Sequence, residues 1–238
     1  MWGTIVALVL AFFPPASLAA ESAKDALERG AYADAQAIGE RSGDPAGLVT
    51  AADAFLMEGR FALAGKARNS AFQKAEALAR RAIAVDPRYE PAHIALAVAL
   101  GCQARDSDVL ALYFRGIAAQ GRREIDRALN LAPDDPYALA LLGEWHLEIV
   151  RRAGAGLAAS LYHATLSEGT RAFEAALALS PDNAVIHAEF GLALLALKEQ
   201  GLRARARYEL DAALLQEPKT MLEKLTLTVA RDMRDHLS

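Results

Sequence analysis

Four short phrases in this chain end alike: Ala82-Ile-Ala-Val-Asp-Pro87, Ala128-Leu-Asn-Leu-Ala-Pro133, Ala176-Leu-Ala-Leu-Ser-Pro181 and Ala213-Leu-Leu-Gln-Glu-Pro218. Each reads as the last turns of a helix stopped by proline, which cannot donate to the turn before it. Recurrence at this scale is the mark of a repeat architecture. Each unit is then a helix pair that buries its apolar face only against its neighbours.

The register extends in both directions from the prolines. Five residues before each proline is alanine; twelve before come Ala75, Gly121, Gly169 and Ala206; eight before come Ala79, Ile125, Phe173 and Leu210. These offsets differ by three and four, so they share one helical face on which two small residues flank a position that plugs the neighbouring helix. Nine and ten residues past the first three prolines come Leu96-Ala97, Leu142-Gly143 and Phe190-Gly191, where a small residue lets two helices cross closely. Together these offsets resemble the tetratricopeptide repeat. The chain is rich in alanine and leucine and has no alternating strand pattern bounded by hairpin turns. The expectation is an all-α, tetratricopeptide-like helical-repeat solenoid.

Before the repeats lies a segment of another kind. Ile5 to Phe13 is uncharged and apolar, Pro14-Pro15 breaks it, and Ser17-Leu18-Ala19 places small residues where a signal peptidase reads. Residues 1–20 are read as a signal peptide cut near Ala19 or Ala20, giving a periplasmic or secreted protein. An uncleaved membrane anchor is the alternative, because no Lys or Arg precedes the apolar run. At nine residues the run falls well short of the roughly 20 a spanning helix needs. Membrane contact without spanning is compatible with this reading. The only cysteine, Cys102, is far from the cleavage site.

Residues 21–238 read as one domain. Glu21 to about Arg41 should form a helix pair or a broken helix, Asp44-Pro45 and Asp135-Pro136 should open helices with Asp as cap and Pro in the first turn, and 220–237 should form a capping helix. The prolines at 87, 133 and 181 are 46 and 48 residues apart, whereas Pro181 to Pro218 is 37; the usual period is about 34. The surplus falls in Arg105 to Gly116 and Gly154 to Gly169, which are apolar and helix-compatible. Extended helices are therefore expected in the central repeats. A dozen extra residues would add roughly 18 Å of helix and raise a wall along one edge, carrying Tyr113, Phe114, Leu161 and Tyr162.

The first helix of each tetratricopeptide pair lines the concave side. That geometry points Pro91, Ile94, Val98 and Cys102 inward from one repeat, Tyr137, Ala140, Glu144, Leu147 and Glu148 from the next, and Val185, Ala188, Leu192 and Leu195 from the third. The surface is apolar and lacks the Lys, Arg and Asn with which carboxylate-clamp arrays hold a peptide terminus. The groove is either a binding surface or is filled by the chain's own helices. The net charge of −4 gives no basic footprint for nucleic acid.

The string Leu141-Leu142-Gly143-Glu144-Trp145-His146-Leu147-Glu148-Ile149, followed later by Glu168-Gly-Thr-Arg-Ala-Phe173, resembles the tetratricopeptide domain of the regulator of microtubule dynamics proteins. So do Ala92-His93 and Leu100-Gly101, and the similarity covers most of residues 45 to 215. That family includes a mitochondria-associated tether whose repeat domain binds and moves phospholipids, so the resemblance implies a capacity to hold lipid here. It does not carry over the tethering role, microtubule binding or any individual lipid contact.

Five histidines are the obvious chemical candidates. His93 and His187 each sit six residues past a repeat proline, at a packing position; His146 stands between Glu144 and Glu148, yet residues two apart on a helix do not face one metal. His163 falls on the expected wall and His236 at the chain end. No zinc-protease string, nucleophile elbow or phosphate loop occurs, and a buried Cys102 would be inert. The expectation is a non-enzymatic protein, without cofactor or metal, that acts as a protein-interaction scaffold through an apolar groove. The alternative is a phospholipid or hydrophobic-ligand carrier using the same groove. The export reading is checked by N-terminal sequencing of protein from cells: mature chains should begin at Ala20 or Glu21, and an intact Met1 on a membrane-bound form would establish the anchor instead.

Overall fold

The computed structural model describes residues 22–105 and 116–237, and the regular elements within them are all helical. In order they are α1 (Ala23–Glu28), α2 (Tyr32–Ser42), α3 (Pro45–Phe61), α4 (Gly65–Val85), α5 (Glu90–Arg105), α6 (Ile117–Leu131), α7 (Pro136–Tyr162), α8 (Leu166–Leu179), α9 (Ala184–Ala196), α10 (Arg203–Leu214) and α11 (Met221–Asp235). A short 3-10 turn, Gln200–Leu202, precedes α10. The segment 1–20, and Tyr113 and Phe114 on the expected wall, lie outside the described residues.

Local chemistry starts the helices where the sequence indicates. The Asp44 carboxylate accepts from the Gly47 N–H at 2.8 Å and Asp135 from the Ala138 N–H at 2.7 Å, each with proline in the first turn. Asn183 and Thr165 cap α9 and α8 in the same way, and Thr220 with Glu223 forms a reciprocal capping box on α11. Each cap satisfies a backbone donor that the helix itself leaves unpaired.

The helices assemble as antiparallel pairs: α3 with α4, α5 with α6, α7 with α8, α9 with α10. The first members also touch in succession, α3 to α5 to α7 to α9 to α11, forming an inner layer backed by the outer layer α4, α6, α8 and α10. The alanines five before each proline and the plugging residues eight before it are buried in these seams. At α7 and α8 the fit leaves no room for a side chain. A Cβ on Gly143 would lie 2.5 Å from a Phe173 ring carbon, and one on Gly169 would lie 2.6 Å from Leu147 Cδ2. Phe173, seated over Gly143, stacks on Phe190 with ring centroids 4.6 Å apart, joining this pair to the next.

The inner layer curls until its ends meet. The Met221 N–H at the start of α11 donates to Glu28 Oε2 on α1 at 3.0 Å, so the C-terminal helix rests on α9 and α10 and also reaches the N-terminal helix. Across the ring, Arg60 on α3 pairs with Glu189 on α9 at 2.5 Å. The expected wall takes a different form in the described residues. Gly154 in α7 adopts φ 75°, a conformation a helix interior does not tolerate, and the rod breaks there. Beyond the break Ala158 and Ala164 fold in against Val150, Tyr162 packs near Trp145, and Leu161 faces outward, 55% exposed. The surplus residues after Gly154 thus form a bent flap packed back on the first part of α7, because Gly154 interrupts the helix that would have extended it.

Gly143→Leu should cost about 1–3 kcal/mol by overpacking the Phe173 contact, measured by urea unfolding. Gly101→Ala is the control: its Cβ meets nothing within 4 Å on α5, so the variant should match the parent or gain up to about 1 kcal/mol. Equal stability of parent and Gly143→Leu would show that α7 and α8 do not cross at this point.

Candidate functional site

Six inner helices arranged in a ring do not meet at its centre, and the space between them is a cavity of about 1020 Å³. Most of its lining comes from α1, α3, α5, α7, α9 and α11, with residues of α2, α6 and α8 behind them. Ile94, Val98 and Cys102 face it from α5, Tyr137, Ala140 and Glu144 from α7, and Val185 from α9, all residues that the repeat geometry points inward. Pro91 and Glu148 line it as well.

Other expected lining residues lie elsewhere. Leu147 is buried in the seam between α7 and α8, against Gly169. Ala188 and Leu192 pack towards α10 and α11, and Leu195 bridges the two apolar clusters on either side of α9. An inner helix touches its own pair partner and both inner neighbours, so only a narrow stripe is left to face the cavity. On α7 that stripe runs Tyr137, Leu141, Glu144, Glu148, Arg152. Leu161 and Tyr162 belong to the flap beyond Gly154 and are not in the lining.

The opposite wall, on α3, is less evident in sequence and carries Val49, Asp53, Leu56, Met57 and Arg60. Arg60 is half-buried, and the neighbouring Glu189 carboxylate strengthens its hold on its proton. Asp53, half-buried, forms no hydrogen bond or ion pair among the described residues, and burial pushes its carboxyl up to about 7. Glu90 at the start of α5 is also pushed up to about 7, by burial and by the nearby Asp135. Farther along α7, burial works against ionisation of Glu148, yet Arg151 and Arg152, both hydrogen-bonded to it, hold it below the usual carboxylate range.

Trp145, the centre of the most specific sequence string, is a joint between repeats. Its indole N–H donates to the Ala118 carbonyl on α6 at 2.9 Å, and the Arg122 guanidinium lies over its ring at 5.2 Å. His146 beside it is buried and accepts the Thr165 N–H at 3.3 Å; burial, aided by Arg122, keeps it below its ordinary range. Glu144 meanwhile faces the cavity and Glu148 binds arginine, so the three do not converge.

His93 and His187 are core residues with a shared device. His93 lies 2.7 Å from Glu124 through Nδ1 and 3.0 Å from the Pro87 carbonyl through Nε2; His187 lies 2.6 Å from Glu209 and 2.8 Å from the Pro181 carbonyl in the same way. Glu124 and Glu209 each stand nine residues before the next repeat proline, an offset visible in the sequence once the histidines are placed. At His187 a carbonyl and an arginine-held carboxylate both require a donor, so both ring nitrogens carry protons, and the Glu209 hydrogen bond raises the imidazole above its ordinary range. His163 ends α7 in a left-handed conformation, and His236 is exposed near the chain end.

Helix pairs stacked into a closed ring, with the buried histidines tied to structural partners and an apolar cavity at the centre, define a tetratricopeptide-like helical-repeat interaction domain. The chain belongs to the regulator of microtubule dynamics family, whose family model, described as regulator of microtubule dynamics protein 1-3, matches residues 28–238. No curated protein matches the chain.

Because the folded state favours charged His187, that stabilisation is complete below pH 6.5 and is lost as pH rises through the imidazole's raised value. Thermal melts should therefore show the parent losing stability on the alkaline side, and His187→Leu should flatten that limb. The same variant leaves one oxygen of the fully buried Glu209 without its partner while Arg205 still holds the other, and should cost about 1–3 kcal/mol. His187→Leu with Glu209→Leu should recover most of the loss. A double variant no better than the single one would refute the ion pair.

Proposed function

We propose that this chain is a non-enzymatic, exported binding protein that holds the apolar part of a ligand inside its ring. The cavity carries the reading: about 1020 Å³, partly open to solvent, walled by Ile94, Val98, Leu141 and Val185, with α1 and α11 in contact at one edge. Small-molecule sites are concave, largely apolar and about 300–1,000 Å³ in size. An acyl chain is the occupant that the geometry favours. A partner helix is about 10–12 Å across with its side chains, and threading it through the ring would break the Arg60–Glu189 bridge, whereas a flexible chain can bend around it.

Energetics set a condition on this function. Fourteen methylenes removed from water contribute roughly 11 kcal/mol, and association consumes about 4–15 kcal/mol. A bilayer offers a lipid the same burial, so net uptake depends on how completely the ring encloses the chain. The bridge across the ring and the joined ends favour that enclosure. Scaffolding of a protein partner is the second reading. It is favoured by Leu157 and Leu161, one turn apart and exposed on the flap, which offer an outer surface separate from the cavity.

The test is mass spectrometry of the gently purified protein together with Val98→Asp, which sets a charge in the cavity wall. The parent should carry a lipid or other amphiphile, and the variant should lose at least about tenfold in occupancy, or 1.4 kcal/mol, with its helical circular dichroism unchanged. A parent that is ligand-free and takes up no fluorescent lipid analogue would leave the scaffold reading in its place.

A further inference from the structure

The Arg60–Glu189 pair that crosses the ring is only half used. Arginine and carboxylate groups commonly close through two parallel hydrogen bonds. Here one is made, from Arg60 Nη2 to Glu189 Oε1 at 2.5 Å. Among the described residues Nε and Nη1 of Arg60 donate to no acceptor, and Glu189 Oε2 receives no donor. Both residues line the cavity, and none of the three idle atoms is sealed inside protein. The idle nitrogens share a carbon with Nη2 and the idle oxygen shares one with Oε1, so covalent geometry keeps all three beside the bond that is made. The Phe61 ring lies against the guanidinium face, its centroid 5.2 Å away, which leaves the guanidinium edge for hydrogen bonding.

What such a site accepts follows from its charges. A carboxylate or phosphate reaching for Arg60 would come up beside Glu189, with Glu144 adding to the negative field there. An ammonium reaching for Glu189 would come up beside the guanidinium already bound to it. An uncharged head escapes both repulsions, and each hydrogen bond it makes is still strengthened by a full charge on the protein side. The idle nitrogens call for an acceptor on that head, and the idle oxygen calls for a donor. Apolar surface continues from both sides of the pair: Leu56 stands one turn before Arg60 on α3 and Val185 one turn before Glu189 on α9, each on the same helix face and each in the lining.

We propose that the unused edge of the Arg60–Glu189 pair is the head-group site of the cavity, and that it selects an uncharged head able to donate and accept at once, such as a primary amide, on an apolar tail laid along Leu56 and Val185. This assignment rests on the ligand-holding reading above and fixes the chemistry of the ligand's polar end. The head completes the second bond of a pair that the protein leaves single, and the neutrality of the pair is what sets the neutrality of the head.

The experiment uses the full chain, stripped of co-purified material, at about pH 7, where a fatty acid is ionised and an alkylamine protonated. The neutral dye N-phenyl-1-naphthylamine is displaced by amphiphiles of one tail length, each below its solubility or micellar limit. Dodecanamide, which donates and accepts, should bind at least about tenfold more tightly than methyl dodecanoate, which only accepts, and than dodecanoate or dodecylammonium. Acetamide, the same kind of head without the tail, should displace no dye at those concentrations. Glu189→Gln keeps an acceptor for Arg60 but bares its charge, so dodecanoate should gain at least about tenfold on dodecanamide. Arg60→Gln bares Glu189, so dodecylammonium should gain instead, and the variant with both changes should return to the parental order. Affinities are compared as ratios within each variant whose circular dichroism matches the parent, and Glu189→Gln decides alone if Arg60→Gln does not fold. A parental preference for a charged head or for the ester, ratios unmoved by Glu189→Gln, or acetamide competing as well as dodecanamide would overturn the assignment. Failure of the dye and of every amphiphile to bind would instead remove the ligand-holding reading on which it rests.

Discussion

Everything in this fold depends on how closely the second helix of each pair approaches the first. Phe173 seats where Gly143 has no side chain, Leu147 seats where Gly169 has none, and Leu210 approaches Gly191 in the same way one repeat later, where a Cβ would lie 2.8 Å from it. Protein interiors are packed as densely as organic crystals, so such contacts fix the angle of each pair to within the tolerance of a methyl group. That angle, repeated from α3 to α10, bends the inner layer into a ring. The cavity follows from the same restraint: helices held tightly to their pair partners are not free to collapse towards the centre.

The architecture was largely legible because it is local. The proline phrases, the alanines five residues before them and the small residues ten after the first three are all properties of one pair, and the structure places each where its offset implies. The cavity lining was legible along α5 and most of α7 but on α9 only in the first turn. Ile94, Val98, Cys102, Tyr137, Glu144, Glu148 and Val185 face inward, but Leu147, Leu192 and Leu195 do not. An apolar stripe at helical spacing does not say which of three neighbours it will meet, and on α9 the answer depends on α11. The Arg60–Glu189 bridge and the Glu28–Met221 contact were illegible, since they arise from small rotations summed over several repeats. The break at Gly154 was within reach, being a glycine in mid-helix among other small residues.

The polar groups inside the molecule divide by what satisfies them. Some are consumed by the backbone, as Asp135 and Thr220 are; some by opposite charge, as Glu189 and Glu209 are; and some by both, as His187 is. Buried charges treated this way cost little and fix geometry. The pairing of His93 with Glu124 and of His187 with Glu209 occurs in alternate repeats, whereas the pair between them places Leu139 and Ala172 at the same offsets. Alternation of hydrogen-bonded and apolar seams gives each repeat a distinct identity, which disfavours slippage of one pair into the place of another.

A linear array of repeats unfolds like a one-dimensional chain, each unit coupled only to its neighbours, so that the terminal units fray first. The hydrogen bond from Met221 to Glu28, made where α11 rests against α1, turns that line into a loop. With both termini engaged, fraying from either side must first part the same seam. Denaturation then gains the character of a single cooperative event, while that seam, narrow beside the broad interfaces within the pairs, becomes the natural place for brief opening of the native state.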